Sequence, residues 1–125
     1  MGNEHGVREE LLQREPLFHR AELGMRRDDY EKMTVPGFWE IGASGRRYSR
    51  EYILGVLEER NRNPPADPWK VQDFDYMEIA QDNYLATYTL VQGARVTRRA
   101  TLWRRGAEGW KAVYHQGTVV TTDVS

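Results

Sequence analysis

No cysteine occurs among the 125 residues. Disulfides, thiolate zinc sites and cysteine nucleophiles are therefore excluded, and the composition fits a reducing, cytoplasmic setting. Long apolar runs are missing too, since none approaches the ~20 residues that span a bilayer as a helix. The opening Met1-Gly2-Asn3-Glu4-His5 lacks the basic-then-apolar plan of a secretion signal. Charge of one sign is also scarce. Lys plus Arg number 18 and Asp plus Glu 19, a formal charge of −1, so no global field draws in nucleic acid or anionic lipid. Neither nucleic acid nor a membrane is expected as a partner. No ligand spacing of the HExxH kind occurs. A metal site of Glu15, His19, Glu40 and His115 can be drawn, but no metal and no cofactor is expected.

What is present is enough for one domain, residues 1–125 with a core from about 7 to 120, able to fold on apolar burial alone. Leu11, Leu12, Glu15, Phe18, His19, Glu22 and Leu23 recur at helical spacing and predict a first helix over Gly6–Met25. Pro16 would kink it or shift its start to Glu15, and Gly24 could cap its end. Asp28 or Asp29 caps a short helix over Tyr30–Met33, which Pro36-Gly37 ends. Phe38–Ile41 reads as a strand, Gly42–Gly45 as a turn and Arg46–Tyr48 as a short return strand. Ser49 is an N-cap for a helix to about Asn61, and Asn63–Pro68 is a stiff loop. Four strands follow, Trp69–Ile79, Tyr84–Val91, Arg95–Arg105 and Trp110–Val120, joined by short turns that favour antiparallel pairing. Thr121–Ser125 reads as a frayed tail.

Two stretches carry a family resemblance. Phe38-Trp39-Glu40-Ile41-Gly42-Ala43-Ser44-Gly45-Arg46 resembles the F-x-E-x-G-x-S-G-R hairpin of an uncharacterised bacterial branch of the nuclear transport factor 2-like superfamily. Trp103-Arg104-Arg105, Gly109-Trp110-Lys111 and Tyr114-His115-Gln116-Gly117-Thr118 resemble the W…G-W-x…H-Q-G-T ending of that branch. The resemblance covers roughly Leu11–Val119. It implies an α+β, cone-shaped fold with N-terminal helices packed in a strongly curved antiparallel sheet, and a homodimer formed through the outer face of the sheet. The superfamily also includes steroid isomerases, dehydratases and polyketide cyclases. The steroid-isomerase tyrosine and two aspartates find no matching positions here.

Within that frame a short set of polar residues could line the cone. Glu40 shares a strand face with Phe38, so a buried Phe38 turns Glu40 toward the cavity as a candidate general base. The bland alternative is an ion pair with Arg98 or a carboxylate capping the Gly42–Gly45 turn. His115 and Gln116 point to opposite faces of the last strand. Strict alternation groups Gln116 with Trp110, Ala112 and Tyr114, the more apolar set, and so favours Gln116 inward, while His115 has the pKa for acid–base work. Glu15 and His19 share one helical face, as a pocket wall or as a solvated pair. Arg98, grouped with Val96, Ala100 and Leu102, could hold an anionic ligand or lie on a solvated sheet surface. Trp39 and Tyr88 could form an apolar wall for a flat ligand or serve as core mass. Two functions remain open: a small-molecule pocket protein, to which isomerase, dehydratase or cyclase chemistry by carboxylate or histidine proton transfer is open, and a non-catalytic homodimeric association module with a packed cone.

Overall fold

The computed structural model describes residues 4–19, 26–62 and 68–121. Three helices, α1 (Glu4–Leu12), α2 (Arg27–Lys32) and α3 (Arg50–Arg62), accompany six strands: β1 (Thr34–Ile41), β2 (Arg47–Ser49), β3 (Trp69–Ala80), β4 (Asn83–Gln92), β5 (Arg95–Gly106) and β6 (Gly109–Val119). The strands form one curved sheet in the order β2-β1-β6-β5-β4-β3. The meander β3–β6 is antiparallel throughout. The β1–β6 seam is parallel, with Glu40 beside His115 and Trp39 beside Tyr114. The sheet is therefore mixed, whereas the resemblance implied an antiparallel one. A long crossover through β2, α3 and the meander separates these two strands in sequence, and only such a connection lets neighbours run parallel.

The first helix is shorter than its periodicity predicts. It stops at Leu12, and the chain through Glu15, Pro16 and Leu17 is not helical. Proline removes a backbone donor and clashes with the preceding turn. In addition, the Glu15 carboxylate accepts the backbone N–H of Leu17, which stabilises a turn instead of a helix. Gly24, Glu22 and Leu23 lie outside the described residues, as do most of the Asn63–Pro68 loop and most of the Thr121–Ser125 tail. The second helix begins at Arg27, and Asp29 accepts the N–H of Arg26 to close its first turn. Strand β1 starts at Thr34 and runs through Pro36-Gly37 to Ile41. Ser49 does cap α3, accepting the N–H of Tyr52 at 3.2 Å.

The core lies between α1, α3 and the inner sheet face. Val7 and Leu11, one helical turn apart, meet Leu54, Leu57, Phe38, Ala86, Trp103 and Trp110 there. Arg50 joins α3 to α2 and β1. Its guanidinium donates to Thr34 Oγ1 at 3.0 Å and to the carbonyl of Glu31 at 2.9 Å. Gly109, at φ +109°, provides the left-handed turn from β5 into β6.

The face that each residue of β6 presents depends on one irregularity. Leu102 pairs with Tyr114 and Trp103 with Ala112, leaving Val113 as an extra residue. This bulge shifts the alternation by one. Trp110 and Ala112 are buried, as simple alternation predicts, but beyond Val113 it is His115 that is buried and Gln116 that is exposed. On β5 the inward set is Thr97, Arg99, Thr101 and Trp103, with Arg98 exposed. Gln116, favoured inward by strict alternation, thus faces outward, and Arg98 lies on the exposed sheet surface, one of the two placements open to it.

Trp110 is 5% exposed, and its indole N–H donates to Glu10 Oε1 at 2.7 Å. Trp110→Ala should lower unfolding free energy in urea by about 3–5 kcal/mol. Trp110→Phe, which retains most of the apolar bulk, should lose about 1 kcal/mol, the worth of one hydrogen bond.

Candidate functional site

A cavity of about 420 Å³ opens at the end of the inner sheet face beyond the bulge. Glu40 reaches it from β1, His115 from β6, Arg99 and Arg95 from β5, Arg60 from α3 and His19 from the segment after α1. Gly42, Ala43, Gln92 and Gly117 complete the wall. Gly42 must be small, since a Cβ there would lie 2.8 Å from the Tyr48 ring.

Among the ionisable groups of this cavity His115 is buried, His19, Glu40, Arg60 and Arg99 are partly buried, and Arg95 is exposed. Glu40 Oε1 approaches His115 Nδ1 at 3.5 Å. Yet neither ring nitrogen of His115 has a hydrogen-bond partner, so the approach is a contact and not a bond. Burial pushes the Glu40 carboxyl up to about 7, against the opposing pull of Arg99 and Arg60. Burial pushes His115 down to about 3, helped by Arg99 and His19. His19 is likewise held at about 3 by burial, then by Arg60 and Arg99. Both imidazoles are therefore neutral at pH 7, and Glu40 is close to half ionised. Such a carboxyl can take or release a proton near neutrality at little cost, and an imidazole beside it can donate or accept a hydrogen bond. Arg60 Nη1 is buried without a partner. Arg99 donates Nε to Thr97 Oγ1 at 3.0 Å, and its amino groups meet no acceptor among the described residues.

Glu15 belongs elsewhere. It is wholly buried in the core, and its carboxylate accepts from the Tyr88 hydroxyl at 2.7 Å, Trp103 Nε1 at 2.8 Å and Leu17 N at 2.9 Å. Burial raises its pKa against those bonds and that of Thr101. It ties the segment after α1 to β4 and β5 through Tyr88 and Trp103. Trp39 lies on the outer face, its ring 4.5 Å from Tyr114 and capped by the Arg47 guanidinium at 4.6 Å. It borders a groove of about 690 Å³ between the β1–β2 hairpin and α3, which contains no buried acid or histidine and whose Arg50 is already bonded. Arg98, Gln116 and Tyr88 border a shallower hollow of about 360 Å³ with Asp73 and Thr118.

No family model matches this sequence, and no curated protein matches it. Solved structures do. An uncharacterised cystatin-like-fold protein from Caulobacter vibrioides superposes with a TM-score of 0.74, 14% identity and coverage of 98% of this chain and 93% of its own. A nuclear transport factor 2-like protein from Cytophaga hutchinsonii gives 0.71 at 12% identity, covering 96% of this chain and 100% of its own. A protein from Parabacteroides distasonis, named a candidate ketosteroid isomerase, gives 0.63 at 15% identity, covering 82% and 81%. The fold is that of the nuclear transport factor 2-like proteins. Among the described residues no cluster of three or more His, Cys, Asp or Glu is placed to hold a metal ion, and no helix is long and apolar enough to cross a membrane.

In this nuclear transport factor 2-like frame, Glu40, His115 and His19 meet in one cavity. Glu15, Trp39, Tyr88, Arg98 and Gln116 do not join them. Arg60 and Arg99 escaped the sequence reading, although both carried a signal. Arg60 continues the apolar stripe Ile53–Leu57 by one helical step, and Arg99 shares alternation with Trp103, the bulkiest side chain on its strand.

These shifts set a pH dependence. Glu40 titrates at about 7 folded and near 4.5 unfolded, so the native state binds the extra proton and stability falls as pH rises from 4.5 to 7. Glu40→Gln should therefore be more stable than the parent by about 2–3 kcal/mol at pH 8, with the difference vanishing below pH 4.5. His19 and His115, neutral when folded, act oppositely and withdraw stability as pH falls from 6.5 toward 3. His115→Asn should flatten that acid limb in denaturation curves from pH 4 to 8.

Proposed function

We propose that the chain is a small-molecule pocket protein that moves a proton on its ligand without a cofactor, with Glu40 as the base. The supporting observation is Glu40 itself: a largely buried carboxyl that accepts no hydrogen bond among the described residues, held near 7, 3.5 Å from a buried neutral His115. A carboxylate kept only for structure is normally bonded, as Glu15 is. In the proposed step, Glu40 takes a proton from the carbon between a carbonyl and a carbon–carbon double bond, and the electron pair moves onto the carbonyl oxygen as a dienolate. A donor N–H of the uncharged His115 ring stabilises that oxygen. Glu40 then returns the proton to a different carbon, which completes an isomerisation with no atom gained or lost. The structural likeness to a protein named as a candidate ketosteroid isomerase is consistent with this chemistry.

We further infer that two copies pair through the outer face, as the association-module reading requires. Cross-strand register aligns Met77, Leu85, Leu102, Tyr114 and Trp39 in one apolar row over five strands, and Met77 and Ile79 are each more than half exposed. Leu102→Glu should leave the fold intact and return a monomer mass in sedimentation, where the parent gives a dimer. A monomeric parent removes the pairing.

The catalytic reading is tested by solvent exchange. A panel of small ketones and enones is incubated with protein in D2O and followed by proton NMR. The parent should catalyse deuterium entry beside the carbonyl of at least one, and Glu40→Gln should lose about 10²–10⁴-fold of that rate, the usual worth of a general base. Exchange unchanged in Glu40→Gln, or no exchange on any member of the panel, would overturn it.

A further inference from the structure

Of the three guanidinium groups lining the cavity, Arg60 and Arg99 are the less exposed, and among the described residues neither forms an ion pair with a carboxylate. Glu40 is the acid in the cavity wall, yet its ion-pair-range contact is to His115, and it pairs with neither Arg60 nor Arg99. Arg60 Nη1 is buried with no partner. The terminal amino groups of Arg99 are equally free, because its one bond, from Nε to Thr97, holds the side chain in place without consuming them. Gly117 is the cross-strand partner of Arg99 on β6. A third guanidinium, Arg95, stands exposed at the rim.

A buried guanidinium without a partner is expensive, and surrounding structure ordinarily supplies an acid or a carbonyl. Arg27 on the surface shows the ordinary case, with Glu51 at 2.8 Å and Glu58 at 3.0 Å. The cavity of about 420 Å³ instead has two cations in its wall, Arg60 and Arg99, with no carboxylate bonded to either among the described residues. Planar forks match carboxylate and phosphate oxygens.

Resting on the reading of this cavity as the ligand site, we infer that its ligand is a small organic anion whose oxyanion head is held by Arg60 and Arg99, with the rest of the molecule lying against Glu40 and His115. The head could be a carboxylate or a phosphate, since both present the same oxygens to a guanidinium. A negative head also bears on Glu40. The groups facing that carboxyl are His115 on β6, Arg99 and Arg95 on β5, Arg60 on α3 and His19 after α1. An anion that neutralises the two arginines weakens their pull on Glu40, so binding should be accompanied by proton uptake near pH 7 and should weaken as pH rises through that value.

Titration calorimetry with non-reactive probes tests the inference: succinate for a carboxylate head, inorganic phosphate for a phosphate, and succinamide as the neutral isostere. Succinate or phosphate should bind, and whichever is tighter identifies the head group. Succinamide should bind at least about tenfold more weakly. Arg99→Gln and Arg60→Gln should each lower affinity for the preferred anion by about tenfold or more, and Arg99→Lys should recover part of it. Arg98→Gln, on the outer face of the same strand, should change nothing. Proton uptake, read from buffers of different ionisation enthalpy, should vanish in Glu40→Gln. Equal binding of succinamide, an affinity indifferent to Arg60 and Arg99, or no binding of either anion overturns the inference. This outcome separates from that of the catalytic reading. Anion binding without any exchange sinks proton transfer and keeps the anion site, whereas exchange of neutral ketones without anion binding does the reverse.

Discussion

Val113 has no single partner on β5, and the bulge it makes divides β6 into two halves with different duties. Before it, Trp110 and Ala112 face the core; after it, His115 and Gly117 face the cavity. Without the extra residue, Tyr114 and Gln116 would occupy the inner face and His115 would be turned outward, because a strand's side chains alternate strictly. The partnership of Glu40 with His115 across the parallel β1–β6 seam also depends on this register. A one-residue irregularity thus decides which end of the sheet is dry packing and which end is chemistry.

Two buried glutamates show how differently the same side chain can be used. Glu15 is surrounded by donors from the Leu17 backbone, Tyr88 and Trp103, so its charge or its proton is fully accommodated and the carboxyl anchors the end of α1 against the sheet. Glu40 receives no such bonds. Its neighbours are an uncharged imidazole and arginines that influence it without pairing with it. The first arrangement stabilises the native state. The second destabilises it whenever Glu40 is ionised, and a fold keeps a cost of that kind where a bound molecule repays it. The stability of the inner sheet is therefore unevenly distributed, high around Trp103 and Glu15 and low around Glu40, Arg60 and His115.

The outer face follows another logic. Trp39 stacked with Tyr114 and capped by Arg47 is settled on its own strand pair, while the apolar row toward Met77 remains open. Tyr114 also donates its hydroxyl to Gln116, which satisfies that amide on the outer surface and removes any reason for it to seek the cavity. Cavity and outer face thus share the same strands but divide the residues of β5 and β6 cleanly by parity on each side of the bulge.

Much of this was legible in the chain itself. The Gly42–Gly45 turn and the short turns of the meander located five of the six strands to within one residue at each end, and Ser49 located α3, because these signals act over four residues or fewer and need no tertiary partner; β1 began four residues before its predicted start, at Thr34. Phe38 and Glu40 on one face followed from period two. Three things lay beyond it. The end of α1 at Leu12 was set by Glu15 finding donors 73 and 88 residues away in Tyr88 and Trp103. The inward turn of His115 was set by a bulge that leaves no mark in local pattern, since Val113 is as acceptable paired as unpaired. The parallel seam that brings Glu40 to His115 joins strands separated by the whole meander. Each is a choice among locally equivalent conformations, and only the burial of distant side chains against one another distinguishes them.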